Sequence, residues 1–236
     1  MKEVAILMAA GMGSRMRPLT ERIPKPLIKV FGKPMIETVI DGLLTRPIDE
    51  IYVVTGYLGE QFGYLTQKYP QVRLIENADY LIKNNISSIY AAREVLDKGN
   101  CFICESDLYV ADNSIFRKEL KKSCYYGRMQ EGESQDWVFE LQNERIVRVG
   151  KGGCNTYNMV GVAYFKQEDA QILKTEIEKA YQFEENSQLF WDDVVDRNLD
   201  KLYLTVEPVK EGQLVEIDTV EELLEIDESA GIINTN

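Results

Sequence analysis

Arg15 and Lys25 close the two parts of the most chemically suggestive stretch of the chain, Ala9-Ala10-Gly11-Met12-Gly13-Ser14-Arg15 and then Ile23-Pro24-Lys25-Pro26. Glycines after an apolar run let the backbone approach a ligand, and a run of free N–H groups makes a concave anion site. Fixed cations beside such a loop suit a phosphate chain. Pro24 and Pro26 are expected to hold Lys25 in a stiff, extended segment. A bare Gly-x-Gly is only a tight turn with solvated cations nearby. It is not the dinucleotide fingerprint, which needs a third glycine and a downstream acid, nor a Walker loop, which needs Gly-Lys-Ser/Thr.

Two aspartates carry the next signal. Asp107 closes the apolar run Phe102-Ile103-Cys104-Glu105-Ser106, and Asp218 closes Val215-Glu216-Ile217 ahead of a helical pattern. Taken singly, the first reads as a turn residue and the second as a helix N-cap. The end of a parallel strand is, however, where ligands sit in open α/β folds. Glu105 and Glu216 are ranked lower, as side chains pointing the other way in extended segments. The chain has no histidine, which removes imidazole as base, nucleophile activator and metal ligand. If the chain is an enzyme, carboxylates and lysines, with or without a metal, must carry the chemistry.

Strand and helix patterns alternate around these residues. Val4 to Ala9, Glu50 to Thr55, Val72 to Glu76 and Cys101 to Glu105 are short apolar runs, whereas Met35 to Leu44, Glu60 to Lys68 and Ile86 to Leu96 have helical spacing. That rhythm builds a mostly parallel, Rossmann-like α/β sheet flanked by helices. From Leu108 it gives way to short strands at Tyr125 to Met129, Trp137 to Leu141, Ile146 to Val149 and Val160 to Phe165, expected as a smaller mixed or antiparallel region. Helices at Gln167 to Tyr181 and Trp191 to Asn198, a strand at Leu202 to Val206 and a helix at Thr219 to Ile226 complete the pattern. One domain is expected over 1–236, with a nucleotide-binding half at 1–107, an acceptor-binding half at 108–228 and a frayed tail at 229–236.

The 236 residues are 44% hydrophobic and 28% charged, a balance that fits a folded globular chain. With 27 Lys and Arg against 39 Asp and Glu, the net charge of −12 argues against general nucleic-acid binding, so any anionic ligand is gripped locally. No apolar run approaches the ~18 residues of a membrane span, and the cysteines read as buried reduced thiols, because Cys101 and Cys104 lie inside an apolar strand without partners for a zinc site. A cytoplasmic protein is expected. Oligomeric state is left open.

The string Gly11-x-Gly13-x-Arg15, Pro18-x-Thr20 and Pro24-Lys25-Pro26 resembles that of the sugar-phosphate and alcohol-phosphate nucleotidylyltransferases. Within that family the chain is most similar to bacterial CTP:phosphocholine cytidylyltransferases, through Gly56-Tyr57-Leu58-Gly59-Glu60-Gln61-Phe62, Asn84-Asn85-Ile86-Ser87-Ser88, Asp136-Trp137 and Phe190-Trp191-Asp192-Asp193. The resemblance implies that Ala9, Ala10, Gly11, Met12, Gly13 and Ser14 wrap the nucleotide, that Arg15 contacts its phosphates, and that Lys25 draws the α-phosphate and the acceptor phosphate together. It also implies that Asp107 and Asp218 bind Mg²⁺. Asn84 and Ser87 then bind the nucleotide or position the acceptor, and Gln61 or Tyr80 could read a pyrimidine edge.

A trimethylammonium has no N–H to donate and is held by aromatic faces with a carboxylate nearby. Trp137 beside Asp136 and Trp191 beside Asp192 are therefore expected to cage the choline of phosphocholine, with CTP as the second substrate. The alternatives are 2-aminoethylphosphonate or phosphoethanolamine, whose primary ammonium wants direct carboxylate acceptors, a sugar 1-phosphate, or a non-catalytic nucleotide-binding module.

Overall fold

The computed structural model describes residues 2–230. Strand β1 (Glu3–Ala9) runs into the glycine-rich loop, and a short hairpin of β2 (Lys29–Val30) and β3 (Lys33–Pro34) leads to α1 (Met35–Leu43). The chain then builds β4 (Glu50–Thr55), α2 (Tyr64–Lys68), β5 (Val72–Glu76), α3 (Ile86–Ala91), α4 (Arg93–Leu96), β6 (Asn100–Glu105) and β7 (Leu108–Val110). After these come β8 (Ser123–Gln142), β9 (Arg145–Phe165), α5 (Gln167–Tyr181), α6 (Trp191–Asp196), β10 (Leu204–Pro208), β11 (Leu214–Glu216) and α7 (Val220–Ile226).

The main sheet has the order β10-β8-β9-β6-β1-β4-β5, in which β6, β1, β4 and β5 run parallel and β9 is antiparallel to β6. This is the α/β architecture expected, mostly parallel with an antiparallel flank. The apolar continuity of β1 follows from burial on both faces. Ala5 and Leu7 pack into one core with Ile40 and Phe102, while Val4 and Ile6 pack into the other with Ile89 and Ile103. From β1 the chain steps outward through β4 to β5 and returns on the other side with β6. The strand order therefore reverses at β1 and β6, the place where such sheets open a ligand crevice.

Three local expectations give way. The four short strands after Leu108 merge into β8 and β9, because the glycine-rich breaks are accommodated as register shifts between Gln130 and Glu133 and between Ser134 and Trp137. The helix expected over Ile86 to Leu96 is interrupted at Ala92, and Glu60 to Lys68, which contains Gly63, is a 3₁₀ turn followed by one α-helical turn. Of the tail expected at 229–236, Ala230 is fully buried in a third core with Met16, Ile28, Ile217 and Leu223, and 231–236 lie outside the described residues. That core fastens the glycine loop and α7 to the same end of the sheet. Cys101, Cys104 and Cys124 are buried free thiols as expected, whereas Cys154 is exposed on the long hairpin. Among the described residues no helix is long and apolar enough to cross a membrane.

Candidate active site

The loop after β1 owes its path to Gly13, whose φ of +59° is left-handed and whose missing Cβ would lie 2.7 Å from Cβ of Lys25. Gly11 has open space where a Cβ would stand. Thr20 Oγ1 donates to the Gly13 carbonyl at 2.9 Å and Tyr57 donates to the Thr20 carbonyl at 2.9 Å, so the loop is braced from β4's side. Lys25 is not extended as expected. It opens a 3₁₀ turn, Lys25–Leu27, which packs it inward to 7% exposure.

Asp107 and Asp218 are brought together by a two-stranded sheet. Strand β7 pairs antiparallel with β11, Leu108 facing Glu216, and the Ile217 N–H donates to the Asp107 carbonyl at 3.2 Å. Thr219, not Asp218, caps α7, its side chain accepting from the Glu222 N–H at 3.2 Å. That leaves the Asp218 carboxylate free to face the cleft. Lys25 Nζ donates to Asp107 Oδ2 at 2.5 Å and to Asp218 Oδ1 at 2.6 Å, and Arg15 donates to the same Asp218 oxygen at 2.7 Å. Burial alone would lower the Lys25 pKa, but the two aspartates outweigh it and the net shift is upward, so the ammonium is charged at neutral pH.

Glu216 joins this cluster, contrary to the ranking made from sequence. Residues two apart in an extended segment share a face, so Glu216 turns with Asp218. Asp107, Glu216 and Asp218 each offer a carboxylate oxygen, all within 4.8 Å of one another. Three hard oxygen donors of this kind fit a hard dication such as Mg²⁺. Although Glu216 keeps an exposed surface, the surrounding protein and then the charges of Asp107 and Asp218 raise its carboxyl to about 7. Glu105, half-buried at the cleft wall and next to these charges, is raised well above the carboxylate range by desolvation first and by Glu216 second. A dication would relieve that crowding.

Three recesses meet at Gly11. The first, about 260 Å³, is lined by Ala9, Gly13, Ser14, Arg15, Lys25 and Asp107. The second, about 390 Å³, is lined by Ala10, Asn77, Tyr80, Asn84 and Ser87. The third, about 640 Å³, opens between the β8–β9 hairpin and the start of α6, and its walls include Glu105, Asp136, Trp137, Phe190 and Asp192. A cationic pocket at the glycine loop, a polar slot beside it and an acidic, partly aromatic cleft could together hold a nucleoside triphosphate and a second, cation-bearing substrate in line.

Residues 5–145 match the family described as the MobA-like NTP transferase domain. The chain belongs to that family. It is 52% identical to the 2-aminoethylphosphonate cytidylyltransferase of Lancefieldella rimae over 96% of this chain and 92% of the relative. Identity to the choline-phosphate cytidylyltransferase of Streptococcus pneumoniae is 35%, over 95% and 96% of the two chains. A solved structure of the Streptococcus pneumoniae CTP:phosphocholine cytidylyltransferase superimposes with a TM-score of 0.89 at 33% identity, covering 97% of this chain and 99% of that one.

In this MobA-like nucleotidyltransferase the structure gathers Ala9, Gly11, Gly13, Ser14, Arg15, Lys25, Asp107 and Asp218 around the first recess and Ala10, Asn84 and Ser87 around the second. Ser87 is spoken for internally: its hydroxyl accepts from Asn77 at 2.9 Å and donates to the Asn84 carbonyl at 2.8 Å. Gln61 donates to the Arg22 carbonyl at 2.9 Å and lies outside the slot that Tyr80 lines. Met12 is exposed and lines none of the three recesses.

The residues expected to bind the acceptor divide. Asp136 and Trp137 line the cleft, the Trp137 ring standing edge-on to Phe190 at 5.4 Å. Trp191 does not. It is 3% exposed and packs in the core against Tyr125 at 5.7 Å and Phe165 at 6.1 Å. Successive helical residues diverge by about 100°, so at the start of α6 Trp191 turns into the core, Phe190 stands on the cleft wall, and Asp192, itself only 3% exposed, borders the cleft from beneath. Burial raises the Asp192 carboxyl to about 7 against the opposing hydrogen bond that the Tyr125 hydroxyl donates at 3.0 Å. Asn85, which sequence reasoning passed over, lines both the slot and the cleft and accepts the Trp191 N–H at 2.9 Å, tying the two together.

Proposed function

We propose that this nucleotidyltransferase is a Mg²⁺-dependent cytidylyltransferase that joins CTP to 2-aminoethylphosphonate and releases pyrophosphate. The observation that carries the acceptor is the removal of Trp191 from the cleft wall, which leaves Asp136, Asp192 and Glu105 beside one aromatic pair. A primary ammonium needs oxygen acceptors for its three N–H groups, whereas a trimethylammonium needs enclosing ring faces. The 52% identity to a 2-aminoethylphosphonate cytidylyltransferase, against 35% to a choline-phosphate cytidylyltransferase, supports the same choice, and both names support CTP as the nucleotide.

An ionised phosphonate oxygen attacks the α-phosphorus, a new P–O bond forms, and the α–β bond breaks with its electron pair leaving on pyrophosphate. The attacking oxygen already carries charge, so the step needs no general base, which suits a chain without histidine. Lys25 and Arg15 hold the α-phosphate and the acceptor anion in line and stabilise the charge that grows on the equatorial oxygens. Asp107, Glu216 and Asp218 would hold Mg²⁺, which supplies neutralisation for the triphosphate and its leaving group. Backbone groups at Ala10 and Gly11 and the polar lining near Asn77 and Asn84 take the nucleoside.

Phosphocholine is the second reading, favoured by the Trp137–Phe190 pair in the cleft. A single reaction with CTP and equal amounts of both acceptors, resolved by ³¹P NMR, decides between them. A phosphonate–phosphate anhydride as the main product supports the proposal, and CDP-choline as the main product refutes it.

A further inference from the structure

Among the described residues the Arg128 guanidinium stands without a partner. Arg128 is half-buried on β8 and lines the acceptor cleft, and its side chain makes no hydrogen bond or ion pair with any described residue. The setting makes this unusual. The chain carries a net charge of −12, and the same cleft presents Glu105, Asp136 and Asp192. The other guanidinium of the cleft, Arg15, is already engaged by Asp218, and the lysine on its wall, Lys151, is exposed to water rather than half-buried. A guanidinium partly stripped of water with no counter-ion is a cost to the fold unless a ligand repays it.

Its placement says which ligand. Arg128 lies directly across from Asn158 in the β8–β9 register, so the two side chains leave the hairpin on one face. Asn158 donates through Nδ2 to Asp136 at 3.2 Å, and its buried Oδ1 has no partner among the described residues. One patch of the hairpin therefore offers a free guanidinium beside a polar, acidic group, the two ends needed by a small molecule with an anion and a cation a few bonds apart.

We propose that Arg128 binds the phosphonate or phosphate of the acceptor, its planar fork taking two oxygens while the acid groups of the cleft take the ammonium. This deepens the reading that the cleft takes an aminoalkyl phosphonate and rests on it. The anion is then held by a second fixed cation besides Lys25, leaving one oxygen free to attack the α-phosphorus.

Arg128→Gln and Arg128→Lys test this through steady-state kinetics and thermal unfolding. Arg128→Gln is expected to raise the acceptor KM about thirtyfold to a hundredfold, the loss of a charge-assisted pair, with the CTP KM within about twofold. Its Tm is expected to move by less than about 3 °C, because no partner in the fold is lost. Arg128→Lys is expected to recover part of the acceptor KM. An unchanged acceptor KM, a rise in the CTP KM in its place, or failure of both variants to fold overturns the proposal. Running 2-aminoethylphosphonate, phosphoethanolamine and phosphocholine side by side separates it from the reading beneath it. If the wild type prefers a phosphate ester and Arg128→Gln raises that ester's KM, the acceptor identity fails and Arg128 stands. If 2-aminoethylphosphonate is preferred and its KM does not move, Arg128 fails alone.

Discussion

The Lys25 ammonium lies 2.6 Å from Oδ1 of Asp218, a residue 193 positions further along the chain. The contact is made by the β7–β11 pairing on one side and the 3₁₀ turn after Pro24 on the other, and it fixes a cation where the proposed reaction brings two anionic substrates together. Lys25→Ala is therefore expected to lower kcat about a hundredfold to a thousandfold, on the order of 3–4 kcal/mol of transition-state stabilisation. Near wild-type turnover in the purified variant would remove Lys25 from the reaction.

Glu216 supplies a sharper test of the carboxylate cluster, since it was ranked below the aspartates on sequence and stands with them in space. Glu216→Gln and Asp218→Asn are each expected to raise the Mg²⁺ concentration for half-maximal rate by at least roughly tenfold, because an amide oxygen is a poorer ligand for a hard dication. A metal titration of the rate checks this. An unshifted titration for Glu216→Gln would return that residue to a bystander.

The two tryptophans are expected to respond differently. Trp191→Leu removes a ring packed between Tyr125 and Phe165, and should cost about 2–3 kcal/mol and lower Tm by roughly 5–10 °C. Trp137→Leu, at the cleft wall, should raise the acceptor KM by roughly threefold to thirtyfold while the CTP KM holds. Calorimetry with kinetics on both variants separates them, and matching behaviour would contradict the placement of one ring in the core and the other in the cleft.

Asp192 gives a pH signature. Burial holds its carboxyl at about 7, above the ordinary 3.8, so the folded state keeps a proton that the unfolded state gives up. Stability contributed by this group is therefore full below about pH 4 and falls as pH rises toward 7. Acceptor binding runs the other way, since an ammonium needs the ionised carboxylate. The acceptor KM is expected to drop as pH rises through about 7, with the CTP KM flat over that range, and Asp192→Asn should abolish the slope. A slope that persists in Asp192→Asn assigns it to another group.

Much of this site was legible from residue types. The glycine loop, Lys25 and the aspartates at strand ends follow from strand-to-turn chemistry, and the alternation of short apolar runs with helical patterns gave the parallel sheet. The losses have physical causes. Glu216 was set aside by a misapplied period, since residues two apart in an extended chain share a face. Trp191 and Asp192 are neighbours in sequence, but the first turn of α6 sends one to the core and the other to the cleft, and tertiary packing alone decides which. Gly132, Gly150, Gly152 and Gly153 look like strand ends and instead lie inside β8 and β9, whose pairing shifts register along the hairpin. Arg128 carries no motif, and that its side chain has no partner among the described residues is visible only in three dimensions.

The acceptor preference of the cleft is read from the ratio of kcat/KM for 2-aminoethylphosphonate to that for phosphocholine, measured with saturating CTP by pyrophosphate release. The acidic cleft with a single aromatic pair predicts a preference for 2-aminoethylphosphonate of at least roughly a hundredfold, the size set by leaving buried oxygen acceptors without their N–H donors. Equal efficiency, or a preference for phosphocholine, would contradict it.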